Sequence, residues 1–421
     1  MSDKVYLCID LKSFYASVEC VERGLDPFKT NLVVCDKTRG QGGICLAISP
    51  KLKSLGVKNR CRLYEIPENI DYIIAKPRMK KYMEYSAKIY SIYLKYVSKD
   101  DIHVYSIDEC FIDITPYISI YNKTPKEFAV MLINNVLKET GVCATAGIGT
   151  NMFLAKVALD ITAKKTDDYI GFLDEEIFKK TIWHHRPITD IWNIGRGIAK
   201  RLEFYGVYDL YGVTRMNEET LYREFGVNAE FLIDHAKGIE PCTIADIKAY
   251  KAKTNSISNS QILFEDYEYK DVFLPIKEMV DNLVLELVEK NMMTNSISLS
   301  IGYSKNIHSS TGGTRKIQKY TDSFDDIIKE FQILFDDTTE KDYLIRKINV
   351  GLNNIVDKDI VSLQLNLFEN TLKSDKERKI QKAVLNVKNK YGKNALLRGM
   401  SLNDKATAKS RNKLVGGHNG E

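Results

Sequence analysis

Asp10, Asp108 and Glu109 are the residues whose types and positions point most directly to chemistry. Asp10 ends the apolar run Val5-Tyr6-Leu7-Cys8-Ile9, and Asp108-Glu109 interrupt a second strand-like run from Tyr105 to Thr115. Burying a carboxylate in a strand is costly unless a cation offsets it. Two such strands side by side would gather three carboxylates into an oxygen-only site suited to Mg²⁺. A set of this kind can hold two ions ~3.5–4 Å apart, activating an attacking oxygen and stabilising a leaving one. Mg²⁺ in such sites commonly carries phosphate, which points to a nucleotide substrate. The bland alternative is an edge strand with solvent-facing acids, or an ion pair with a buried lysine. Asp113, five residues after Asp108, falls on the opposite face of an extended strand and reads as structural.

The elements that must position these groups follow from pattern. Residues 5–10 read as a strand, and Ser13 to Glu22 as a helix that Ser13 could cap. Residues 32–35 and 43–48 read as paired short strands joined by a turn containing Gly40, Gly42 and Gly43, with a short helix from Ser49 to Leu55 ended by Gly56. A long amphipathic helix is predicted over 80–97, the acidic hairpin over 102–114, a helix over 124–141, a strand over 144–148 and a helix over 152–162. This is a mixed sheet covered by helices. Short helices follow to Gly238, then a polar linker over 241–252. A smaller unit over 253–356 alternates strands and helices, and residues 357–421 read as a polar, irregular tail.

Composition bounds the class. The chain has 421 residues, 44% hydrophobic and 28% charged, too long for one domain and ordinary for a globular protein. No apolar run is long enough to span a membrane, and Met1 leads almost at once into a strand without a signal sequence; the expectation is cytoplasmic. The eight cysteines are scattered without a Cys-x-x-Cys pair and read as small buried hydrophobes in a reducing compartment. Net charge is +5, but residues 357–421 carry 14 basic against 7 acidic side chains, leaving the rest slightly acidic. A basic tail on such a body fits a nucleic-acid partner, although a solvated tail would look similar.

Cys8-Ile9-Asp10-Leu11-Lys12-Ser13-Phe14-Tyr15-Ala16-Ser17-Val18-Glu19 and Tyr105-Ser106-Ile107-Asp108-Glu109 resemble the two palm motifs of the Y-family, or translesion, DNA polymerases, most closely the UmuC-like branch. The likeness extends over nearly the whole chain. It implies an α+β multidomain fold with right-hand architecture: palm over 1–21 and 77–170, small fingers over 22–76, a helical thumb over 171–240, the linker over 241–252, an α+β little finger over 253–356 and the basic tail over 357–421. It implies that Asp10, Asp108 and Glu109, with the backbone carbonyl of Leu11, bind two Mg²⁺ ions. It implies that Tyr15 is the steric gate whose ring leaves no room for a 2′-hydroxyl. Phe14 is placed beside the nucleotide, with its ring expected to pack inward.

The same likeness assigns the triphosphate to the fingers segment Ala47 to Lys53 and to a lysine after the last palm helix. Many members carry a hydroxyl, a tyrosine and an arginine where this chain has Ala47, Pro50 and Lys53. Lys53 can offer a point charge but not the bidentate fork of arginine. Lys164 or Lys165 matches the later lysine, and Lys164 is favoured because it follows Ala163. Ile194-Gly195-Arg196-Gly197-Ile198 reads as a helix-hairpin-helix turn in which Gly195 and Gly197 let backbone N–H groups approach DNA phosphate. Residues 253–356 carry 12 basic and 16 acidic side chains. Lys305, Arg315, Lys316 and Lys319 nevertheless cluster around Gly312-Gly313, consistent with a sheet lying on DNA.

Gln364-Leu365-Asn366-Leu367-Phe368, an apolar pentad in polar surroundings, resembles the bacterial sliding-clamp-binding motif, with Gln364, Leu365, Leu367 and Phe368 as contacts. No mechanism is assigned to the segments Ala395–Leu402 and Arg411–His418. The expected activity is template-directed, low-fidelity DNA synthesis across damage, as in the SOS response. The expected partners are primer-template DNA, dNTP and the β sliding clamp, with a recombinase filament or a UmuD-like subunit as further candidates, and no membrane. Two rivals are weighed. A nucleotide cyclase shares carboxylates on a hairpin but should lack the thumb turn, the second unit and the pentad. A non-catalytic DNA- or clamp-binding accessory protein has no reason to keep the carboxylate trio.

Overall fold

The N-terminal apolar run forms strand β1 (Tyr6–Leu11), and every residue of it except Asp10 is buried. The computed structural model describes residues 4–252, 255–361 and 371–420. It divides into two units, residues 1–250 with 419–421, and residues 251–418. In the first unit β2 (Leu32–Val34), β3 (Ala47–Ile48) and β4 (Ile73–Ala75) make a small sheet in the order β3-β2-β4. With β5 (Ile102–Val104), β6 (Glu109–Asp113), β7 (Ala144–Gly149) and β8 (Ile170–Leu173), β1 makes a larger sheet in the order β5-β6-β1-β7-β8. β1 is central and antiparallel to both neighbours, which sets Asp10 opposite Glu109 on one side and Thr145 on the other. The Leu11 N–H donates to the Asp108 carbonyl at 2.9 Å, tying the acidic turn to β1.

Helix Met152–Val157 lies directly on β7. A Cβ on Gly147 would stand 2.0 Å from the Ala155 carbonyl oxygen, and one on Gly149 would stand 2.2 Å from the Ala155 nitrogen. Glycine is required at both positions for that approach. The expected helix after Asp10 is present as Phe14–Val21, but Ser13 does not cap it. Ser13 has left-handed backbone (φ 51°), and its buried hydroxyl finds no partner among the described residues.

The small sheet packs Val33, Ile48 and Leu52 around Cys35, Cys45 and Cys61. These three thiols meet, with Cys45 hydrogen-bonded to both others, although they are dispersed in sequence. Short helices over 175–237 enclose a core that includes Leu202, Leu210, Leu221 and Leu232. The expected linker at 241–252 is corrected: helix Ile244–Ala249 forms there, started by a capping box of Thr243 and Asp246. Ile244 is buried with Tyr6, Cys8 and Phe111, which makes the segment part of the first unit.

The second unit is an antiparallel sheet of β9 (Ile257–Tyr267), β10 (Met292–Tyr303), β11 (Thr311–Thr321) and β12 (Ile345–Asn353), in the order β11-β10-β12-β9. Alternate residues Ile297, Leu299 and Ile301 pack with helices Tyr269–Glu289 and Phe324–Thr338, the pattern expected of a half-covered sheet.

The irregular tail is also corrected. Residues Thr371–Tyr391 are helical. Glu377 accepts from the Phe324 N–H and the Ser323 hydroxyl, both at 2.8 Å, and Arg378 bonds Asp322 and Asn291. The ending that had no assigned role docks on Glu278, a carboxylate only 2% exposed. Glu278 accepts from the Thr407 N–H at 2.7 Å and the Ala408 N–H at 2.8 Å. Arg411 reaches the Gln261 side chain and the Glu278 carbonyl. Attachment by caps and ion pairs rather than by an apolar stripe is why the segment reads as tail.

Candidate active site

The β1–β6 pairing brings Asp10, Asp108 and Glu109 together at one end of the large sheet. Asp10 and Glu109 are strand residues facing across the ladder, and Asp108 belongs to the tight turn before β6. Ser106 fixes that turn: its hydroxyl donates to Asp108 Oδ1 at 2.6 Å and accepts from the Asp108 N–H at 3.3 Å. Burial pushes the Asp10 carboxyl up to about 7, and the charges of Asp108 and Glu109 push it in the same direction, against Lys156. A carboxyl raised by like charge marks a place where negative charge exceeds its compensation.

Lys156, from helix Met152–Val157, answers part of that charge. Its ammonium lies 2.8 Å from Glu109 Oε1 and 3.0 Å from Asp160. The Cys8 thiol donates to the same Glu109 oxygen at 3.1 Å. Burial would lower the Lys156 pKa, but Cys8, Asp160 and Glu109 outweigh it and the ammonium is held above its ordinary range. Because Glu109 turns toward Lys156 and Asp108 toward Ser106, no three His, Cys, Asp or Glu side chains among the described residues close on a common point. The donor set still fits a hard divalent cation: it is all oxygen, carried on adjacent elements, and left acidic enough to raise Asp10. Asp113 accepts from the Thr115 N–H at 3.0 Å; it shares the face of Glu109 by strand alternation rather than lying opposite, and stands at the far end of β6, across from Tyr6.

Tyr15 is half-buried beside this site, and burial and the Asp108 charge both raise its hydroxyl pKa. Its ring stacks on Tyr82 with centroids 4.4 Å apart and planes 14° from parallel. The Tyr82 hydroxyl donates to Glu19 Oε1 at 2.9 Å, and Arg78 forks onto both Glu19 oxygens, each at 2.9 Å. Arg23 completes the shell. Burial would raise the Glu19 pKa, yet the Arg78, Arg23 and Tyr82 hydrogen bonds bring it below the ordinary value. Glu19 and Tyr82 escaped sequence reasoning. A glutamate inside the apolar helix Phe14–Val21 was the available signal, since such a group needs partners. The Phe14 ring packs inward as expected, 3% exposed and edge-on against Tyr82.

Lys53 stands on the short helix Pro50–Ser54 and keeps solvent contact. Its pKa is lowered by partial desolvation and by the neighbouring ammonium groups of Lys12 and Lys164, against the attraction of Asp10. Lys53 thus lies within electrostatic reach of both Asp10 and Lys164. Ala47 and Pro50 are buried. At the hairpin, Gly195 precedes helix Arg196–Phe204, and no atoms crowd an added Cβ at Gly195 or Gly197, so the turn is open to a large anion.

In the second unit the open sheet face carries Lys316, Ser296, Ser298, Ser300, Asn349 and Lys347, by register and alternation. Arg315 does not belong to that set. It pairs across the ladder with buried Ile297 and forms a 2.5 Å ion pair with Glu330 of helix Phe324–Thr338, so it lies on the covered side. Lys305 is exposed in the turn after β10. The pentad Gln364, Leu365, Leu367 and Phe368 lies outside the described residues.

Comparison with known proteins defines first the fold and then the family. The structure matches a Y-family DNA polymerase chimera of Dbh and Dpo4 with a TM-score of 0.64, at 22% identity, over 84% of this chain and 99% of that one. Residues 9–160 match the impB/mucB/samB family, and residues 254–367 match the C-terminal domain of the same family. A Bacillus subtilis (strain 168) protein named for UV-damage repair, UvrX, is 35% identical over 99% of this chain and 97% of its own length. DNA polymerase IV 2 of the same strain is 30% identical over 99% of both chains. The chain belongs to the impB/mucB/samB family of Y-family DNA polymerases.

Proposed function

We propose that this DNA polymerase performs template-directed, low-fidelity synthesis across damaged DNA, joining a deoxynucleotide to a primer 3′-hydroxyl with release of pyrophosphate. The observation that carries the reading is the Asp10–Glu109 register with Asp108 in the adjoining turn, next to a stacked Tyr15. Asp10, Asp108, Glu109 and the Leu11 carbonyl are the groups that would hold two Mg²⁺ ions. Bound there, the metal supplies acidification of the primer hydroxyl and neutralisation of charge on the phosphates.

The chain's own residues do the rest. Tyr15, backed by Tyr82, presents a flat wall to the sugar and excludes a 2′-hydroxyl. Lys53 and Lys164 draw the triphosphate toward the acidic end of the sheet, and charge stabilisation there lowers the barrier. Gly195 and Gly197 offer backbone N–H groups to DNA phosphate, and Lys305 with the Lys316 face of the second sheet offers charge to the duplex. Residues 364–368 dock the β sliding clamp. The UV-damage repair name of a relative aligned end to end supports the role in damage tolerance.

Primer extension on undamaged and abasic templates with Mg²⁺ tests the reading. The wild type should extend both and Asp108→Ala neither. Full extension by Asp108→Ala would overturn the site, and wild-type failure on both templates, even with clamp and recombinase filament added, would favour a non-catalytic accessory protein.

A further inference from the structure

Lys12 has no role in the account above, yet its surroundings are unusual. Its backbone is locked on both sides: its N–H donates to the Cys143 carbonyl at 2.8 Å, and its carbonyl accepts from the Ser17 hydroxyl at 2.6 Å. Among the described residues no carboxylate pairs with its side chain. Its ammonium lies 3.3 Å from the ring centroid of Tyr169 and 5.4 Å from that of Phe28. Tyr169 presents its ring from left-handed backbone (φ 57°), a conformation rare for an aromatic residue. A cation over a ring keeps its formal charge uncompensated, so an anion can recruit it.

Three ammonium groups lie in one electrostatic neighbourhood, centred on Lys53. Lys12 and Lys164 each act on Lys53, which also senses Asp10. None of the three forms an ion pair among the described residues, whereas Lys156 in the same sheet has two carboxylate partners. Cations gathered without a counter-charge, beside carboxylates gathered without a counter-charge, leave room for a metal-bound polyanion between them. The fingers segment offers little else, because Ala47 and Pro50 bring no polar side-chain atom and are buried.

We propose that Lys12 leaves the Tyr169 ring to bind the polyphosphate of the incoming nucleotide, as the third member of a lysine cluster with Lys53 and Lys164. This rests on the polymerase reading and adds a residue to it. Lys12 thus supplies from the palm a phosphate contact that the fingers of this chain do not make.

The test compares full-length wild type, Lys12→Met and Lys12→Arg in single-nucleotide extension, and measures binding of inorganic tripolyphosphate with Mg²⁺ by calorimetry. Lys12→Met should raise the KM for dNTP by about tenfold, with kcat changed less than about twofold. It should weaken tripolyphosphate binding by a similar factor, and Lys12→Arg should recover most of both. Unchanged KM and unchanged tripolyphosphate binding in Lys12→Met would overturn the proposal. So would a fall in kcat alone, which would mean that Lys12 only supports the fold. If the wild type extends no primer, the polymerase reading fails, while the calorimetric comparison still decides whether Lys12 binds polyphosphate.

Discussion

Two carboxylates nine residues apart, Asp10 and Glu19, are treated in opposite ways. Glu19 is fully buried and is met by Arg78, Arg23 and Tyr82, so its pKa is depressed. Asp10 is buried among Asp108 and Glu109, which Lys156 offsets in part, and burial followed by those like charges raises its pKa to about 7. Buried charge that is fully paired does structural work. Buried charge left short of a partner marks where an external cation is expected. The contrast separates the end of β1 that we propose to be catalytic from the support one helix away, although both are acids in the same motif.

The largest expected effect comes from removing charge at the unpaired site. Asp108→Ala should lower primer extension by at least about a thousandfold. Its unfolding free energy in urea should be unchanged or higher, because a like charge is gone. Glu19→Gln should do the reverse, losing about 3 kcal/mol of stability by removing the buried carboxylate that pairs Arg23 and Arg78 and leaving Arg78 only its longer contact to Glu22, while extension at low temperature survives. If Asp108→Ala destabilises more than Glu19→Gln, the contrast is wrong.

Sugar selection ranks next. Tyr15→Ala should admit ribonucleotides at least about tenfold more readily, read as the ratio of kcat/KM for rNTP and dNTP. Tyr82→Phe keeps the stacking ring and loses its hydrogen bond to Glu19, so it should shift that ratio only slightly. Equal effects of the two would mean that the hydroxyl anchor, rather than the ring, sets the gate.

The two acids also predict opposite pH dependence. A carboxyl raised from 3.8 to about 7 favours the folded state while protonated, so its contribution is lost as pH climbs through that window. Metal-free protein should therefore lose stability between about pH 4 and about pH 7, by an amount that Asp10→Asn abolishes and Mg²⁺ reduces. Glu19, with a depressed pKa, contributes stability above its ordinary value of 4.5 that is lost as pH falls below it. Urea titrations of wild type, Asp10→Asn and Glu19→Gln across pH separate the two slopes. The smallest effect is expected on the open sheet face. Lys316→Ala should weaken DNA binding a few-fold and reduce the salt slope by about one, with Arg315→Ala changing neither.

Legibility in sequence followed burial. Asp10, Asp108 and Glu109 could be read because acids in apolar strands are anomalous, and the strand register then placed them as expected. Their partners could not be read: Lys156 meets Glu109 across 47 positions of sequence, and Arg78 meets Glu19 across 59. Arg315 was misplaced although the signal was present, since Ile317 two residues later is core and shares its face. The linker and the tail were missed because helix Ile244–Ala249 is short and Thr371–Tyr391 is strongly charged and docks through Glu377 and Arg378. Lys12 could not be singled out, because a lone lysine is a surface residue until its neighbours are known.

The most direct test of the unpaired-charge account is Mn²⁺ binding, followed by electron paramagnetic resonance, in wild type, Asp108→Ala and Glu19→Gln. Wild type and Glu19→Gln should bind the ion comparably and Asp108→Ala much more weakly. Equal binding by wild type and Asp108→Ala would contradict the assignment of the acidic end of β1 as the metal and catalytic centre.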